Sequence, residues 1–479
     1  MKKNATLFAV FFAIVAMFAT PSATAQGLIT MASKKQPGEM LKFSIRAKGP
    51  FEIEGATHQT GNSYELTDKE GKVSIKGNIT ELWCGNNQLN LLDVTQCPTL
   101  EILWCDVNNL TELDITKCPA LVRLNCSTNQ LDQLDITNCK DLEELRCTGN
   151  KLSELDITKC QDLMIIDCGK NQLSLLDVTK TKKIAELYCR SNKLTRLDLT
   201  NSPNLEALEC NNNQLTELVL PNGPKLTKLN CHSNQLSKLD VAKCPELSDL
   251  YCHSNQLEQL DLTKCPKLTE LNCHSNKFTQ LDLTKCAKLT ALHCHSNQLT
   301  KLDVTGPELT VIDCHANQLT QLDLTECKKL EKLLCSNNRF SALDLSENKA
   351  LYFIDCSKNE IKGIQMDKLI ASLPDHSKSD TEGEFGVINN IKGADQNICY
   401  KKQVADAEKR GWMAKEWKSY GWISYRGSDP SSNDKISTKE DLKIIAIYTV
   451  EGLQVDKPVP GLNIVRFSNG ECHKILIEK

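Results

Sequence analysis

The residues of this 479-residue chain that are best suited to chemistry are its 24 cysteines and nine histidines. Cysteines in this number can form disulfides, bind a metal ion or pack as small apolar side chains. Fourteen of them follow one another at steps of 21 residues, with a single step of 20: Cys84, Cys105, Cys126, Cys147, Cys168, Cys189, Cys210, Cys231, Cys252, Cys273, Cys294, Cys314, Cys335 and Cys356. A second row lies thirteen residues after members of the first, at Cys97, Cys118, Cys139, Cys160, Cys244, Cys265, Cys286 and Cys327. This spacing indicates an internal repeat.

Most of the histidines belong to the same repeat. Five of them directly follow a first-row cysteine, and a sixth precedes one: His232, His253, His274, His295 and His315, with His293. On strands ~4.8 Å apart, neighbouring imidazoles could bind a transition metal or take up protons together at mildly acidic pH. Alternatively, the near-identical C-H-S-N units come from recent duplication of a polar surface unit. No carboxylate completes an obvious metal site, so we expect no metal and no cofactor.

Aromatic residues occupy the position before several first-row cysteines: Trp83, Trp104, Tyr188 and Tyr251. Flat aromatic surface on the outward face of a sheet favours contact with a peptide or a sugar. Alternatively, the two tryptophans pack beneath the N-terminal cap that any stack of repeats requires.

The elements that position these residues follow from the repeated unit, whose consensus is L-x-x-L-x-C-x-x-N-x-L-x-x-L-D-[LVI]-T-x-C-P-x and which recurs fourteen times in succession with substitutions at some positions. Around each first-row cysteine, apolar residues alternate with polar ones, which predicts a short strand with one buried face. One such strand cannot bury that face alone. Successive units must therefore stack into a parallel sheet with strands ~4.8 Å apart.

The turns of the unit are predicted by two polar residues. An asparagine lies three residues after each first-row cysteine, as at Asn87, Asn108, Asn129 and Asn150. We expect its amide to satisfy backbone groups of its own turn and of the neighbouring one. The aspartates of the L-D-[LVI] segment, such as Asp93 and Asp344, are expected to form Asx turns. A unit of 21 residues leaves little room for a helix.

The ends of the chain depart from the repeat. Lys2 and Lys3 precede an apolar run over 7–18 and an A-x-A pattern ending at Ala25, which predicts a secretory signal peptide over 1–25. No later segment is apolar enough to span a bilayer as a helix. We further predict a β-rich N-terminal cap over 26–78, the repeat array over 79–361, an α/β C-terminal cap over 362–427, a linker over 428–443 and a β-domain over 444–479.

We expect both cysteine rows to be buried thiols. Identical side chains on adjacent parallel strands point the same way, which is poor disulfide geometry. The export signal favours disulfides instead, and the lack of C-x-x-C pairs weakens a zinc site. In other units the second row is replaced by Thr181, Ser202, Gly223, Gly306 and Asn348. These replacements predict that the second row is less deeply buried than the first.

Composition and motifs argue against two classes of function, nucleic-acid binding and catalysis. The balance of 57 basic and 61 acidic residues argues against nucleic acid as a partner. The sequence contains no G-x-S-x-G, P-loop, H-E-x-x-H or G-x-G-x-x-G motif. Its serines, histidines and aspartates recur with the repeat, whereas a catalytic site would interrupt it. The sequence therefore predicts a protein that is not an enzyme.

With cysteine in place of the third consensus leucine, the unit resembles the leucine-rich repeat. The 21-residue period and this cysteine over 79–361 are similar to the internalin-J-like repeats of bacterial surface proteins, which have relatives in Bacteroidetes. The resemblance implies a thiol ladder in the core and a surface-exposed adhesion or interaction protein. We therefore expect a leucine-rich repeat solenoid with a parallel β-sheet, a short or non-helical convex side, a β-rich N-cap, an α/β C-cap and a small terminal β-domain.

The last segment resembles the C-terminal sorting domain of Bacteroidetes type IX secretion cargo. It has Tyr448 four residues before Gly452, an apolar strand after Pro460 and a terminal strand after Lys474. Leu462 stands where tyrosine is usual in that domain, and no L-P-x-T-G wall anchor is present. The resemblance implies delivery to the cell surface. Alternatively, the segment is a small β-sandwich with a structural role.

Together these patterns predict a secreted or surface-attached adhesin that binds a protein on a host or bacterial surface, in attachment, aggregation, biofilm formation or virulence. The outward strand residues would form the binding surface. The alternative is an extracellular module that binds a polysaccharide, a peptide or a metal.

Overall fold

The computed structural model describes residues 27–304, 306–379, 382–391, 395–419, 421–430, 444–449, 454–455, 461–467 and 472–477. The predicted signal peptide and most of the predicted linker lie outside these residues. The chain divides into two compact units, 1–278 and 279–479.

The first unit begins with β1 (Gly27–Ser33), β2 (Met40–Lys42), β3 (Ser44–Glu54), β4 (Ala56–His58), β5 (Ser63–Leu66), β6 (Lys72–Trp83) and β7 (Leu89–Asp93). β6 pairs antiparallel with both β1 and β3, and β1 also pairs with β7. β2 and β4 pair with β5 in a small antiparallel sheet. Because β6 continues through residue 79, the N-terminal segment and the first repeat share one strand.

Each later repeat of the first unit contributes a short strand. These strands are β8 (Ile102–Trp104), β9 (Arg123–Asn125), β10 (Glu144–Arg146), β11 (Ile165–Asp167), β12 (Glu186–Tyr188), β13 (Arg196–Asp198), β14 (Ala207–Glu209), β15 (Glu217–Val219), β16 (Lys228–Asn230), β17 (Asp249–Tyr251) and β18 (Glu270–Asn272). Apart from β13 and β15, which pair with each other, they follow β6 in one parallel sheet whose neighbours are 21 residues apart. The middle residue of each sheet strand is a fully buried leucine or isoleucine.

The backbone turns sharply two residues after each first-row cysteine. At this position the residues Asn86, Val107, Thr128, Lys170, Ser191, Asn212, Ser233, Ser254 and Ser275 have φ between 50° and 57°. A left-handed backbone costs a non-glycine residue ~1–2 kcal/mol, and only Gly149 avoids this cost in the first unit. The turn is therefore imposed by the contacts of the residue that follows it, the repeated asparagine.

Each repeated asparagine joins two neighbouring turns. The Nδ2 of Asn150 donates to the carbonyl oxygen of Cys147 in its own turn at 3.0 Å and of Cys126 in the preceding turn at 3.1 Å. Its Oδ1 accepts a hydrogen bond from the backbone N–H of Leu131 at 3.0 Å. The same three contacts recur at Asn108, Asn129, Asn171, Asn192 and Asn213. The predicted role of the asparagine is seen at each of these turns.

Non-repeat segments complete this asparagine ladder at its ends. In the first unit, the backbone of Lys42 in β2 donates to Oδ1 of Asn87 at 2.8 Å and accepts from its Nδ2 at 2.7 Å. In the second unit, Asn397 follows Asn359 and repeats its contacts, since its Nδ2 donates to the carbonyl oxygen of Cys356 at 2.8 Å and its Oδ1 accepts from the N–H of Ile361 at 2.9 Å.

In each repeat, turns form the side that lies opposite the sheet. The Oδ1 of Asp114 accepts from the N–H of Thr116 at 2.9 Å and from its hydroxyl at 2.7 Å. The equivalent aspartates make the same contact, as at Asp93, Asp135, Asp156, Asp177 and Asp323. The described residues of 79–361 contain no helix. The Asx turns and the non-helical side are thus present as predicted.

All 22 cysteines of the two rows are at most 1% exposed. The side chains of both rows are inaccessible to solvent, including Thr181, Ser202 and Asn348 in the second row, but the second row lies less deep than the first, as predicted. Side chains of this row can donate to a backbone carbonyl of the same or the preceding repeat, and the Thr181 hydroxyl donates to Val178 in its own repeat at 2.9 Å. Cys118 Sγ lies 3.4 Å from the oxygen of Val94, and Asn348 Nδ2 donates to that of Leu324 at 3.0 Å.

Burial also determines the state of these thiols. It raises the pKa of Cys97 in the second row to about 11 and that of Cys126 in the first row to about 12. The smaller rise in the second row reflects fewer surrounding atoms. Both thiols are therefore protonated and unreactive at neutral pH.

The second unit continues the repeat with β19 (Gln280–Asp282), β20 (Ala291–His293), β21 (Lys301–Asp303), β22 (Val311–Asp313), β23 (Lys332–Leu334) and β24 (Phe353–Asp355). β20, β22, β23 and β24 are neighbours in a parallel sheet, and β19 pairs with β21. The register between β20 and β22 is preserved although their residues are 20 positions apart.

The rest of the second unit consists of α1 (Ile364–Ser372), β25 (Gly383–Asn389), α2 (Lys401–Glu408), β26 (Trp412–Lys418), β27 (Gly421–Ser424), β28 (Ile444–Thr449), β29 (Gln454–Val455), β30 (Gly461–Phe467) and β31 (Cys472–Ile477). β25 and β26 extend the parallel sheet from β24, and β27 adds an antiparallel strand. Trp412 is buried, and its Nε1 donates to the oxygen of Pro374 at 2.7 Å. β28–β31 form a separate four-stranded sheet in the order β29-β28-β30-β31. None of the helices in the described part of the chain has the length and apolarity needed to cross a membrane.

Removing one asparagine of the ladder tests its energetic weight. Asn150→Ala leaves the buried N–H of Leu131 without a partner and removes one of the two asparagine hydrogen bonds at each of two buried carbonyls, so we expect the free energy of unfolding to fall by about 3 kcal/mol. Urea unfolding of the full chain measures this. Asn138→Ala is the matched control, because Asn138 is exposed and makes one hydrogen bond, to the oxygen of Thr116 at 3.1 Å. Equal losses for the two variants would contradict the ladder's role.

Candidate binding surface

The two predicted tryptophans lie side by side on the outward face of the first unit. Trp83 and Trp104 are register partners on β6 and β8. Trp83 is half-buried beside β3, where Ser44 is its strand partner and the Arg46 guanidinium lies 5.9 Å from its ring centre. Trp104 is 36% exposed. The N-terminal segment thus covers the first tryptophan in part, while the second is exposed.

The predicted tyrosines lie elsewhere in the same row. Tyr188 and Tyr251 are half-buried, and each hydroxyl binds a glutamate. The Tyr188 hydroxyl donates to Glu186 at 3.0 Å, and burial together with this contact raises its pKa to about 12. Burial and the Glu270 carboxylate likewise raise the pKa of Tyr251. Asn125, Arg146 and Asp167 separate Tyr188 from the tryptophans, so the aromatic residues do not form one cluster.

Three predicted histidines of the first unit form a stack. The rings of His232 and His253 are 4.2 Å apart, and those of His253 and His274 are 4.3 Å apart. Their planes are within 15° of parallel. The lone pairs of parallel rings do not converge on one point. In the described residues, no group of three or more histidine, cysteine, aspartate or glutamate side chains is placed to hold a metal ion.

The remaining predicted histidines lie in the second unit around a carboxylate. The rings of His295 and His315 stack at 4.2 Å, and His315 Nδ1 is 2.6 Å from Asp313 Oδ1. His293 Nδ1 and His295 Nε2 lie 3.9 and 4.0 Å from Asp313 Oδ2. Asp313 is 9% exposed. Asp313 thus lies beside three histidines, although these side chains are not among any group placed to hold a metal ion in the described residues.

Sequence reasoning missed Asp313 because aspartate is frequent in every repeat. Its position was the available signal, since it stands directly before Cys314, where the other histidine-bearing repeats have Asn230, Tyr251, Asn272 or His293. Hydrogen bonds from His293 and His315 lower the pKa of Asp313 despite its burial, which acts in the opposite direction. The contact with Asp313 raises the pKa of His315.

Comparison with known proteins places this arrangement in context. No family model and no curated protein matches the chain. The functional domain of InlJ from Listeria monocytogenes, which includes a cysteine ladder, aligns over 85% of this chain and 91% of its own, with a TM-score of 0.57 and 26% identity. A leucine-rich repeat protein of Leptospira interrogans aligns over 61% of this chain and 81% of its own, with a TM-score of 0.53 and 25% identity.

The LRIM1/APL1C complex, at 21% identity, is similar in fold alone, with a TM-score of 0.52 over 66% of this chain and 60% of that chain. These similarities and the stacked repeats confirm the predicted fold class, a leucine-rich repeat solenoid with a parallel β-sheet, and its internalin-like character.

Asp313→Asn tests the contact of the Asp313 carboxylate with the histidines of the second unit. The pKa of His315 is raised in the folded chain, so protonated His315 stabilises the fold at pH values below the ordinary pKa of 6.5. This contribution is lost as pH rises through the pKa of the folded state. The pKa of Asp313 is lowered in the folded chain, so ionised Asp313 stabilises the fold at pH values above the ordinary pKa of 3.8. This contribution is lost as pH falls through the pKa of the folded state. The Asp313–His315 pair therefore contributes most to the free energy of unfolding between pH 3.8 and pH 6.5, the two ordinary pKa values.

We expect Asp313→Asn to lower the free energy of unfolding by about 2 kcal/mol near pH 5.5, and by less near pH 8. Urea unfolding at the two pH values measures both. The control is Asp303→Asn, which removes a carboxylate of the same unit that pairs with Lys301 instead of a histidine. A loss for Asp313→Asn that is equal at both pH values would refute the pairing.

Proposed function

We propose that this protein is an extracellular leucine-rich repeat protein that recognises a partner protein through the outward residues of its parallel sheet. One observation carries the proposal. Inward positions of the first unit repeat leucine and cysteine, whereas the outward position before the cysteine changes from strand to strand: Trp83, Trp104, Asn125, Arg146, Asp167, Tyr188, Glu209, Asn230, Tyr251 and Asn272. Stacking requires uniform residues inside only, so variety outside supports recognition of a partner.

Trp104 is the anchor of the proposed surface. Exposed tryptophan is enriched among the residues that contribute most to protein interfaces, because it buries a large apolar area at little entropic cost. Arg46 and the half-buried Trp83 beside it supply a charge and a second aromatic ring. Further polar residues of the same row, such as Asn125 and Arg146, would form the rim.

The proposed biological role is adhesion: attachment to host or bacterial surfaces, aggregation or biofilm formation. Three features support it. The signal-peptide pattern over 1–25 indicates export, the repeat resembles those of bacterial surface proteins, and the fold is similar to the InlJ domain of a bacterium. The same features support a location outside the cell, attached to its outer surface.

The proposed domain organisation keeps the boundaries predicted from the sequence. The 26–78 segment is proposed as an N-terminal cap because Lys42 takes the place of a preceding repeat at Asn87. The 362–427 segment is proposed as a C-terminal cap because Asn397 takes the place of a following repeat. Both ends of the asparagine ladder would otherwise leave polar groups unpaired.

Trp104→Ala tests the proposed surface in the full chain. We expect attachment of a deletion strain complemented with this variant to fall at least tenfold, because truncating an aromatic anchor removes its buried contact area. Leu175→Ala is the matched control, since Leu175 is 70% exposed but lies outside the outward row. Thermal unfolding of both variants should match that of the unmodified chain. Unchanged attachment for Trp104→Ala, or equal loss for both variants, would contradict the proposal.

The terminal β28–β31 sheet is proposed as a type IX sorting domain. Support comes from its sequence resemblance and from its four-stranded organisation separate from the array. Deleting the residues after Asp434 should leave the protein in the periplasm, which cell fractionation measures. Surface display of the truncated chain at the level of the full chain would contradict the sorting role and favour a structural one.

A further inference from the structure

One repeat of the first unit has an asparagine–glycine pair where the second cysteine row would continue. Gly223 takes the place of the second-row cysteine, and the exposed Asn222 precedes it. Asn138 and Asn201, which are also exposed, hold the position of Asn222 in their own repeats. Three asparagines with the same place in the repeat can therefore be compared directly.

The backbone N–H that follows the asparagine is hydrogen-bonded in the two reference repeats. The N–H of Cys139 donates to the carbonyl oxygen of Ile136 at 2.9 Å, and the N–H of Ser202 donates to that of Leu199 at 2.9 Å. The N–H of Gly223 has no hydrogen-bond partner in the described part of the chain. Its nitrogen is therefore available to attack the side-chain carbonyl carbon of the preceding residue.

The side-chain amide of Asn222 also differs from those of the reference asparagines. In Asn138 and Asn201, Nδ2 donates to a backbone carbonyl of the preceding repeat, at 3.1 and 3.4 Å. In Asn222 the oxygen is bonded instead, because Lys243 Nζ donates to Oδ1 at 2.5 Å. An ammonium group can only donate, so the atom that faces it is the oxygen. Among the described residues, Nδ2 of Asn222 has no acceptor.

These differences favour an intramolecular displacement at Asn222. A cation beside Oδ1 stabilises the oxyanion that forms when a nucleophile attacks the amide carbon. The Gly223 nitrogen is held next to that carbon because the two belong to neighbouring residues, so the attack closes a cyclic imide. Glycine has no Cβ to obstruct the closure. A Cβ at Gly223 would lie 2.2 Å from the carbonyl oxygen of Pro203, so the close packing of the repeats also requires glycine here.

A lysine contact alone does not create this arrangement. Lys225 Nζ donates to Oδ1 of Asn204 at 2.9 Å. The N–H that follows Asn204, that of Leu205, donates to the carbonyl oxygen of Ser202 at 3.2 Å and is thus engaged. Of the four asparagines compared, Asn222 is the one that combines a polarised side-chain oxygen with a free backbone nitrogen.

We propose that Asn222 is a modification site, which deamidates in the folded chain. The Gly223 nitrogen forms a bond to Cγ of Asn222, and the bond from Cγ to Nδ2 breaks. The proton lost by the Gly223 nitrogen leaves with Nδ2 as ammonia. Water then opens the imide at one of its two carbonyl carbons, which gives aspartate or isoaspartate. The reaction consumes water and needs no oxidant, reductant or cofactor.

The two products act on the array in different ways. Aspartate places a carboxylate opposite Lys243, and this pair joins two neighbouring repeats as Glu246 and Lys267 do elsewhere. Isoaspartate adds a carbon atom to the backbone, where Gly223 lies close to Pro203. Formation of isoaspartate therefore loosens the stacking of the two repeats, whereas formation of aspartate preserves it.

Incubation of the full chain at mildly alkaline pH, followed by proteolysis and mass spectrometry, tests the proposal. Each deamidated asparagine is located by the mass change that replacement of an amide by an acid produces. We expect Asn222 to deamidate at least about tenfold faster than Asn138, Asn201 or Asn204, because its nucleophile alone is free.

Lys243→Met tests the polarised oxygen. We expect this variant to slow deamidation of Asn222 about fivefold, since it removes the cation beside Oδ1 but leaves the Gly223 nitrogen free. Lys238→Met is the matched control, because Lys238 is an exposed lysine of the same repeat that does not contact Asn222, and it should leave the rate unchanged. Thermal unfolding of both variants should match that of the unmodified chain.

The same measurement in urea separates the fold from the asparagine–glycine sequence. Unfolding should speed deamidation of Asn138, Asn201 and Asn204, because it releases the N–H groups that follow them. It should not speed that of Asn222, and the effect of Lys243→Met should disappear. Equal rates at the four asparagines of the folded chain, a slower rate for folded than for unfolded Asn222, or an unchanged rate in folded Lys243→Met would each overturn the proposal.

Discussion

The repeated asparagine is the constraint on which the rest of this structure depends. Its side chain binds carbonyl groups of two consecutive turns and one N–H, so a single amide fixes both the shape of a turn and its distance to the next. That network holds residues such as Val107 in a left-handed conformation that their side chains disfavour. It also explains the ends, since Lys42 and Asn397 provide the missing partners where the repeats stop.

The cysteine rows follow from the same stacking. Two small side chains per unit fill the narrow space between the sheet and the opposite turns, and every row cysteine is at most 1% exposed. The second row adds a weak donor aimed at a carbonyl of the preceding repeat, a role that Asn348 performs with stronger hydrogen bonds. Because burial raises the thiol pKa, few thiolates form, and exchange of these cysteines with disulfides is slow.

A core this uniform leaves chemical variety to the outward face. Because the inward side chains make the same contacts in every repeat, the outward positions can hold different polar or aromatic residues. The regular strand spacing aligns these outward side chains into rows. The position after the first-row cysteine holds histidine in both units, but the residues beside it differ. In the first unit the residues directly before the cysteines that precede the three stacked rings are the uncharged Asn230, Tyr251 and Asn272, whereas in the second unit Asp313 lies against His315 and raises its pKa. One residue beside the row thus changes its electrostatic character.

The repeat, the parallel sheet, the inward cysteines, the bridging asparagines and the Asx turns could all be predicted from the residues alone, because a fixed period gives every repeat the same neighbours. The helices α1 and α2 lie within the 362–427 segment, for which the sequence predicted α/β structure. Only the tertiary structure decided the burial of the second cysteine row, the partial cover of Trp83 by Arg46, and the meeting of Asp313 with three histidines. These depend on side-chain direction and on contacts between segments far apart in sequence, which a period does not encode.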